Sequence, residues 1–260
     1  MVSSAILPLS VVIVAKNEAH NLPRCLASVK GWVTEIVVAL NDTTDDSEAI
    51  SKKFGARVHR MPWLGYRDTK NAALELAAQP WVLSLDADEA VSPELQRRLT
   101  EFFARADYDQ FAGARFPRKV WFINRWITHG DWYPDYSLRL LRRDRATWGG
   151  DPFVHEKVEC LGPVATLPGD LLHYPYAMIG THHIKTLEYA RLFAEKQQAA
   201  NEPWSLGATL FRPAWRFFRG YVLRRGFLDG VPGLVAATAT AYYTFLRYAC
   251  HYERLHRTDS

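Results

Sequence analysis

The chain has 260 residues, 48 % of them hydrophobic and 23 % charged, with a net charge of +4. That length and balance fit one large α/β domain or a domain with an appendage, and they exclude a disordered chain. Cys25, Cys160 and Cys250 are too few and too scattered for a disulfide framework or a zinc site, so a reducing, cytoplasmic compartment is expected.

Residues 9–15 (LSVVIVA) form a continuous apolar, β-branched run, the pattern of a strand buried on both faces. No basic residue precedes this run, and Lys16, Asn17 and Glu18 follow it where a signal peptide would need small residues. It therefore reads as a first strand and not as a targeting segment. A helix is expected over 19–29, a second buried strand over 35–40, and a turn at Asn41 and Asp42 leading to a helix that ends near Phe54. A short strand at 56–60, a helix at 68–78 and a strand at 81–85 continue the alternation. Strand and helix alternating at this spacing predict a parallel sheet with right-handed crossovers. Neither G-x-G-x-x-G nor G-x-x-x-x-G-K-[ST] follows the first strand, which excludes a dinucleotide fingerprint and a phosphate loop.

The fourth strand runs into Asp86, Ala87, Asp88 and Glu89. At strand spacing the side chains of Asp86 and Asp88 would point the same way. Paired carboxylates at the carboxyl end of such a strand suit Mg²⁺ or Mn²⁺ and lie where open α/β sheets bind ligands. The plainer alternative is a solvated turn, with Ser92 and Pro93 opening the next helix. A strand ending in D-x-D also describes an aspartyl-phosphate nucleophile. That nucleophile usually lies on the first strand with Thr or Val two residues later, whereas Ala90 stands there in this sequence.

After Asp107 the pattern becomes mixed sheet, with strands expected over 111–118, 120–128, 137–141 and 154–160 and a last one over 171–174. This half is dense in polar and aromatic residues, among them His129, Asp131, Trp132, Tyr133, Asp135, Arg139, Trp148, Asp151, His155 and Glu156. Such a mixture suits sugar faces and hydroxyls, although any one of the aromatics could simply pack the core.

Helices are expected from about residue 181 onward. From Ser205 to the end there are eight Arg, no Lys and three acids, so the excess positive charge is concentrated there. Aromatics and Arg interleave over 211–225, the composition of a segment lying in the headgroup region of an anionic membrane. The alternative is a pair of packed helices with Arg heads in water. No uncharged apolar run reaches 18 residues, and no helix-turn-helix, zinc or RNA-recognition signature accompanies the basic tail, so nucleic acid is not the expected partner.

Eight segments, in this order and spacing, resemble the inverting family 2 glycosyltransferases of GT-A fold, and within them the lipopolysaccharide inner-core β-1,4-glucosyltransferase branch. They are residues 9–29, 35–47 (EIVVALNDTTDDS), 65–77 (GYRDTKNAALELA), 83–89 (LSLDADE), 132–143 (WYPDYSLRLLRR), 154–158 (VHEKV), 171–174 (LLHY) and 215–230 (WRFFRGYVLRRGFLDG).

The resemblance implies a catalytic domain over 1–178, divided into a nucleotide-sugar-binding half (1–106) and an acceptor-binding half (107–178), with membrane-contacting helices over 179–260. The fold implied is α/β, a mostly parallel, mixed central sheet flanked by helices. It implies a divalent metal, Mn²⁺ or Mg²⁺, on Asp88, with Asp86 completing the D-x-D motif and His173 as a late ligand. Asn17, Glu18, Lys70 and Asn71 would meet the nucleotide, and Arg139 and Arg143 would meet phosphate groups. Glu156 would be the catalytic base, with Asp135 and Asp131 as alternatives. The partners implied are a UDP-sugar, glucose by the branch resembled, and a lipid-linked saccharide acceptor at the inner face of the cell membrane. One position departs from the family pattern: Leu40 stands where an Asp commonly holds the uracil, leaving Asn41 or Asp42 to substitute. A non-catalytic sugar-binding module of the same fold is the remaining alternative.

Overall fold

A computed structural model describes residues 6–150, 157–175 and 179–257, with the backbone path alone at 179–183 and 185. The chain divides into two compact units, Met1–Arg118 with Asp135–His173, and Lys119–Pro134 with Tyr174–Ser260. The second unit thus takes in part of the expected acceptor-binding half as well as the tail.

The first unit opens as the hydrophobic pattern predicts, with β1 (Leu7–Ala15), α1 (Leu22–Val29), β2 (Val33–Leu40), α2 (Ser47–Lys53), β3 (Arg57–Arg60), α3 (Tyr66–Leu74) and β4 (Trp81–Asp86). β1 is the central strand of this half: it pairs in parallel with β2 on one side and β4 on the other, and its interior residues are buried on both faces. α1 buries Leu22, Cys25, Leu26 and Val29, one stripe at helical spacing. α3 is preceded by Gly65, whose φ of +89° is open to glycine at no steric cost, and it ends earlier than the sequence suggests.

A short strand absent from the sequence reading, β5 (Glu89–Val91), comes next, before α4 (Pro93–Phe103). Ser92 caps α4 as expected, its Oγ accepting from the Leu95 N–H at 3.1 Å. The sheet then turns antiparallel with β6 (Gly113–Phe122), whose last residues pass into the second unit and pair there with β7 (Arg125–Trp126). β8 (Asp135–Arg142) returns beside β4 and β6, and is followed by β9 (Ala146–Gly149), β10 (Lys157–Cys160), β11 (Val164–Thr166) and β12 (Leu171–His173). The main sheet runs β3-β2-β1-β4-β8-β6-β12-β5, while β9 and β10 form a separate ribbon.

Among its described residues the second unit holds three α-helices, α5 (Ile179–Ala199), α6 (Leu206–Phe218) and α7 (Gly230–His256). A π-helical turn (Arg219–Leu223) and a 3-10 turn (Gly226–Asp229) join α6 to α7. Gly226 and Gly233 sit so close in this corner that a Cβ on Gly233 would overlap the Gly226 carbonyl. Among the described residues no helix is long and apolar enough to cross a membrane.

Candidate active site

The register of the parallel strands brings their carboxyl ends level, with Ala15 beside Leu40, Val14 beside Asp86 and Leu40 beside Arg60. Residues just past those ends therefore share one edge of the first unit. Asn17 takes a left-handed backbone, φ +54°, which Asn tolerates better than most residues. Its Oδ1 accepts from the Thr44 N–H at 2.8 Å, stitching the loop after β1 to the loop after β2. The Glu18 N–H donates to Ser47 Oγ at 3.0 Å, and its carboxylate accepts from Asn21. A cleft of about 480 Å³ opens here, lined by Leu40, Asp42, Thr43, Thr44, Arg60, Met61 and Pro62. Asp42 faces it, whereas Asn41 is buried with its side-chain oxygen lacking a partner among the described residues.

The D-x-D stretch differs from its sequence reading. β4 ends at Asp86, and Ala87 and Asp88 form the turn into β5, so strand alternation does not align the two carboxylates. Asp86 faces cations: Lys70 Nζ lies 3.1 Å from Oδ1 and Arg139 Nη2 lies 2.5 Å from Oδ2. Burial alone would raise its carboxyl, but Arg139 and Lys70 outweigh burial and hold it well below the usual carboxylate range. Asp88 instead faces His173, whose Nε2 is 3.4 Å from Oδ2. Strand pairing brings them together, because β12 lies antiparallel to β5 with His173 opposite Glu89.

Behind this edge lies an ionic network that the motif reading missed. The Glu89 side chain is 0 % exposed, its Oε1 accepts from Arg139 at 2.7 Å, and its Oε2 accepts from the Asp86 N–H at 3.0 Å. Arg118 Nη1 lies 3.5 Å from the same carboxylate, while its Nε and Nη2 donate to Asp135 Oδ2 at 3.0 and 2.7 Å. Burial disfavours the charged form of Arg139, yet Asp86 and Glu89 raise it above the ordinary arginine value. Lys70 and Arg139 also lie against the Trp148 ring, at 4.3 and 5.8 Å from its centroid. The only sequence signal for Glu89 was its place in the D-A-D-E stretch, directly before an apolar pair.

Other expected site residues stand elsewhere. The Asn71 amide is engaged by β9, accepting from the Trp148 N–H at 2.9 Å and Thr147 Oγ1 at 3.0 Å and donating to the Trp148 carbonyl at 2.8 Å. This is a clamp on the strand that carries Trp148. Arg143 donates to the Ala77 carbonyl. Asp131 belongs to the second unit, where its carboxylate is 4 % exposed beneath Arg216, Arg219 and Arg224; a proton acceptor for an incoming hydroxyl cannot be so enclosed by cations. Asp151, His155 and Glu156 lie outside the described residues.

Three cations of the first unit, Lys70, Arg118 and Arg139, meet three carboxylates, Asp86, Glu89 and Asp135, and Asp88 stands apart from them against His173. Among the described residues no group of three His, Cys, Asp or Glu surrounds one point. The Asp88 oxygen nevertheless suits Mn²⁺ or Mg²⁺, with the His173 nitrogen beside it as a softer second donor whose other ring nitrogen is buried with no partner among the described residues. Two protein donors fit a cation that shares its remaining positions with ligand oxygens, not one enclosed by protein.

Comparisons agree with this architecture. The model of the family described as "Glycosyl transferase family 2" matches residues 10–154. The chain is 30 % identical to the lipopolysaccharide core biosynthesis glycosyltransferase LpsC of Rhizobium meliloti (strain 1021), covering 95 % of this chain and 93 % of LpsC. It is also 30 % identical to an uncharacterized glycosyltransferase of Rickettsia felis, covering 93 % and 88 % of the two chains. Among solved structures it superposes on the mannosyltransferase PcManGT of Pyrobaculum calidifontis, in complex with GDP-Man and Mn²⁺, with a TM-score of 0.53 at 12 % identity. That match covers 96 % of this chain and 88 % of PcManGT.

Proposed function

The chain belongs to glycosyl transferase family 2, and on that premise we propose that it moves a hexose from a nucleotide sugar to a lipid-linked saccharide, with inversion, in the building of lipopolysaccharide core. The observation that carries this reading is the strand-end cluster in which Lys70 and Arg139 flank Asp86 next to the Asp88–His173 pair. Relatedness to LpsC supports the core-saccharide acceptor, and the complex of PcManGT supports a nucleotide-sugar donor used with a divalent ion. UDP-glucose is the donor expected from the branch that the motifs resemble.

In this reading the base and ribose enter the cleft beside Asp42, Thr44 and Arg60, and the diphosphate lies towards Lys70 and Arg139. A divalent cation on Asp88 and His173 would neutralise charge on the departing diphosphate. Fixed charges in a partly dry site act without reorganising as the bond breaks. The acceptor hydroxyl oxygen attacks the anomeric carbon from the face opposite the diphosphate. The bond to the diphosphate oxygen breaks with its electron pair on that oxygen, and the hydroxyl proton passes to a carboxylate. Glu156 is the base expected from the motif, and Asp135, exposed by 44 % and oriented by Arg118, is the described residue suited to the same task.

The test is nucleotide release by the purified chain with a core-saccharide acceptor, scored across UDP-, GDP- and dTDP-sugars with Mn²⁺ and again with EDTA. Acceptor-dependent release of UDP that EDTA suppresses is the expected result. Absence of release from every donor would reject the transferase assignment, and release unaffected by EDTA would reject the metal.

A further inference from the structure

The arginines around Asp131 are not used by the chemistry proposed above. Within the second unit, Asp131 Oδ1 lies 2.8 Å from Arg219 Nη2 and 3.3 Å from Arg224 Nη1, and its Oδ2 lies 3.5 Å from Arg216 Nη1. The position of Asp131 is fixed by the backbone as well, since the Gly130 N–H donates to the Arg224 carbonyl at 3.0 Å. One buried carboxylate thus gathers three guanidiniums, and two positive charges remain uncompensated within the cluster. Burial pulls Arg216 below the ordinary arginine value, and although Asp131 opposes this, the guanidiniums of Arg219, Arg247 and Arg224 add to it. Packing like charges together is costly unless an anion completes the cluster.

The same segment presents an apolar stripe. Phe211, Trp215, Phe218 and Val222 follow one another at i, i+4, i+7 and i+11, and are exposed by 78, 55, 46 and 43 %. Arg216 and Arg219 lie one residue further on than Trp215 and Phe218, so the cationic stripe runs alongside the aromatic one. A helix with exposed aromatics bordered by arginines matches the boundary between acyl chains and anionic headgroups. A soluble phosphoester would use the arginines and leave the aromatics in water.

We propose that Arg216, Arg219 and Arg224, assembled on Asp131, form a phosphate-binding site for the headgroups of an anionic bilayer, with Phe211, Trp215 and Phe218 entering the leaflet beside them. This deepens the lipid-linked acceptor reading by naming the residues that would hold the enzyme at the surface where such an acceptor resides.

The experiment is co-sedimentation of the full chain with phosphatidylcholine vesicles, with and without phosphatidylglycerol, in the absence of donor and acceptor. Binding to the anionic vesicles is expected to exceed binding to the neutral ones. Replacing Arg216→Gln with Arg224→Gln should weaken anionic binding roughly thirtyfold, with the circular dichroism spectrum unchanged. Phe211→Ser with Trp215→Ser, at exposed positions that do not hold the fold together, should weaken it as well. Glycerol 3-phosphate should not displace the protein from vesicles. Equal binding by the arginine variant, equal binding to neutral vesicles, or displacement by the soluble phosphoester would each overturn the proposal. Because the assay contains no sugar nucleotide, vesicle binding can fail while transfer is retained, and transfer can fail while vesicle binding is retained.

Discussion

Arg139 donates to Glu89 across 2.7 Å with both side chains all but withdrawn from solvent. Removing one partner of such a pair leaves the other charge buried and uncompensated, which costs more than the pair contributes when intact. Glu89→Ala should therefore destabilise the protein by about 3 kcal/mol or more, read as a lower urea midpoint at unchanged slope. Glu89→Gln, which keeps the shape and one acceptor, should cost less. A midpoint that does not move in Glu89→Ala would mean that Arg139 finds its compensation elsewhere.

Asp86 gives the acid limb of the stability profile a definite sign. Its folded carboxyl titrates below the ordinary value of about 3.9, so on acidification the unfolded chain takes up this proton first. The stabilisation is complete above about pH 4 and is lost as pH falls from there towards the lowered folded value. Asp86→Asn should flatten the dependence of unfolding free energy on pH in that acidic window. Urea titrations at successive pH values measure the slope, and an unaltered slope would contradict the charge environment described for Asp86.

Glu156 and Asp135 are the two carboxylates proposed to take the proton of the acceptor hydroxyl, and kinetics separate them. Loss of the general base should lower kcat by about 10² to 10⁴-fold with little change in donor KM. Glu156→Gln is expected to do this, whereas Asp135→Asn should cost less and mainly disturb the partner of Arg118. If Asp135→Asn carries the larger loss and Glu156→Gln turns over normally, the two roles are exchanged.

Gly233 tests the corner between the π-helical turn and α7. A methyl group there would collide with the Gly226 carbonyl, which is backbone and cannot swing aside. Gly233→Ala should lower stability by about 1–3 kcal/mol despite the better helix propensity of Ala. A thermal midpoint equal to or above that of the parent would show that the corner yields.

The parallel half was legible because its signal is local. An unbroken apolar run such as 9–15 can be satisfied only by burial on both faces, and β1 obeys it. What the sequence hid depends on distant partners. Glu89 reads as one more acid in a turn until Arg118 and Arg139, from strands far along the chain, converge on it. Asn71 matches a nucleotide-contact motif, yet its amide is taken by the backbone of Trp148, and no pattern within 65–77 could announce that. Asp131 and Asp135 are near neighbours in sequence but fall in different units, because the chain leaves the first unit after Arg118 and rejoins it at Asp135.

That departure has a narrow neck. Arg118 and Asp135 are opposite each other in the β6–β8 register, and their side chains are also ion-paired, so both ends of residues 119–134 meet the first unit at one fastened rung, while Thr128, Gly130 and Asp131 are held by Asp229, Arg224 and Arg219 within the second. A segment inserted in this way can change its length or composition while the strands that carry Asp86 and Arg139 keep their alignment. Exchanging the excursion between relatives therefore has to carry the helices that hold Asp131 along with 119–134, with the stitch at Arg118 and Asp135 as the joint to preserve.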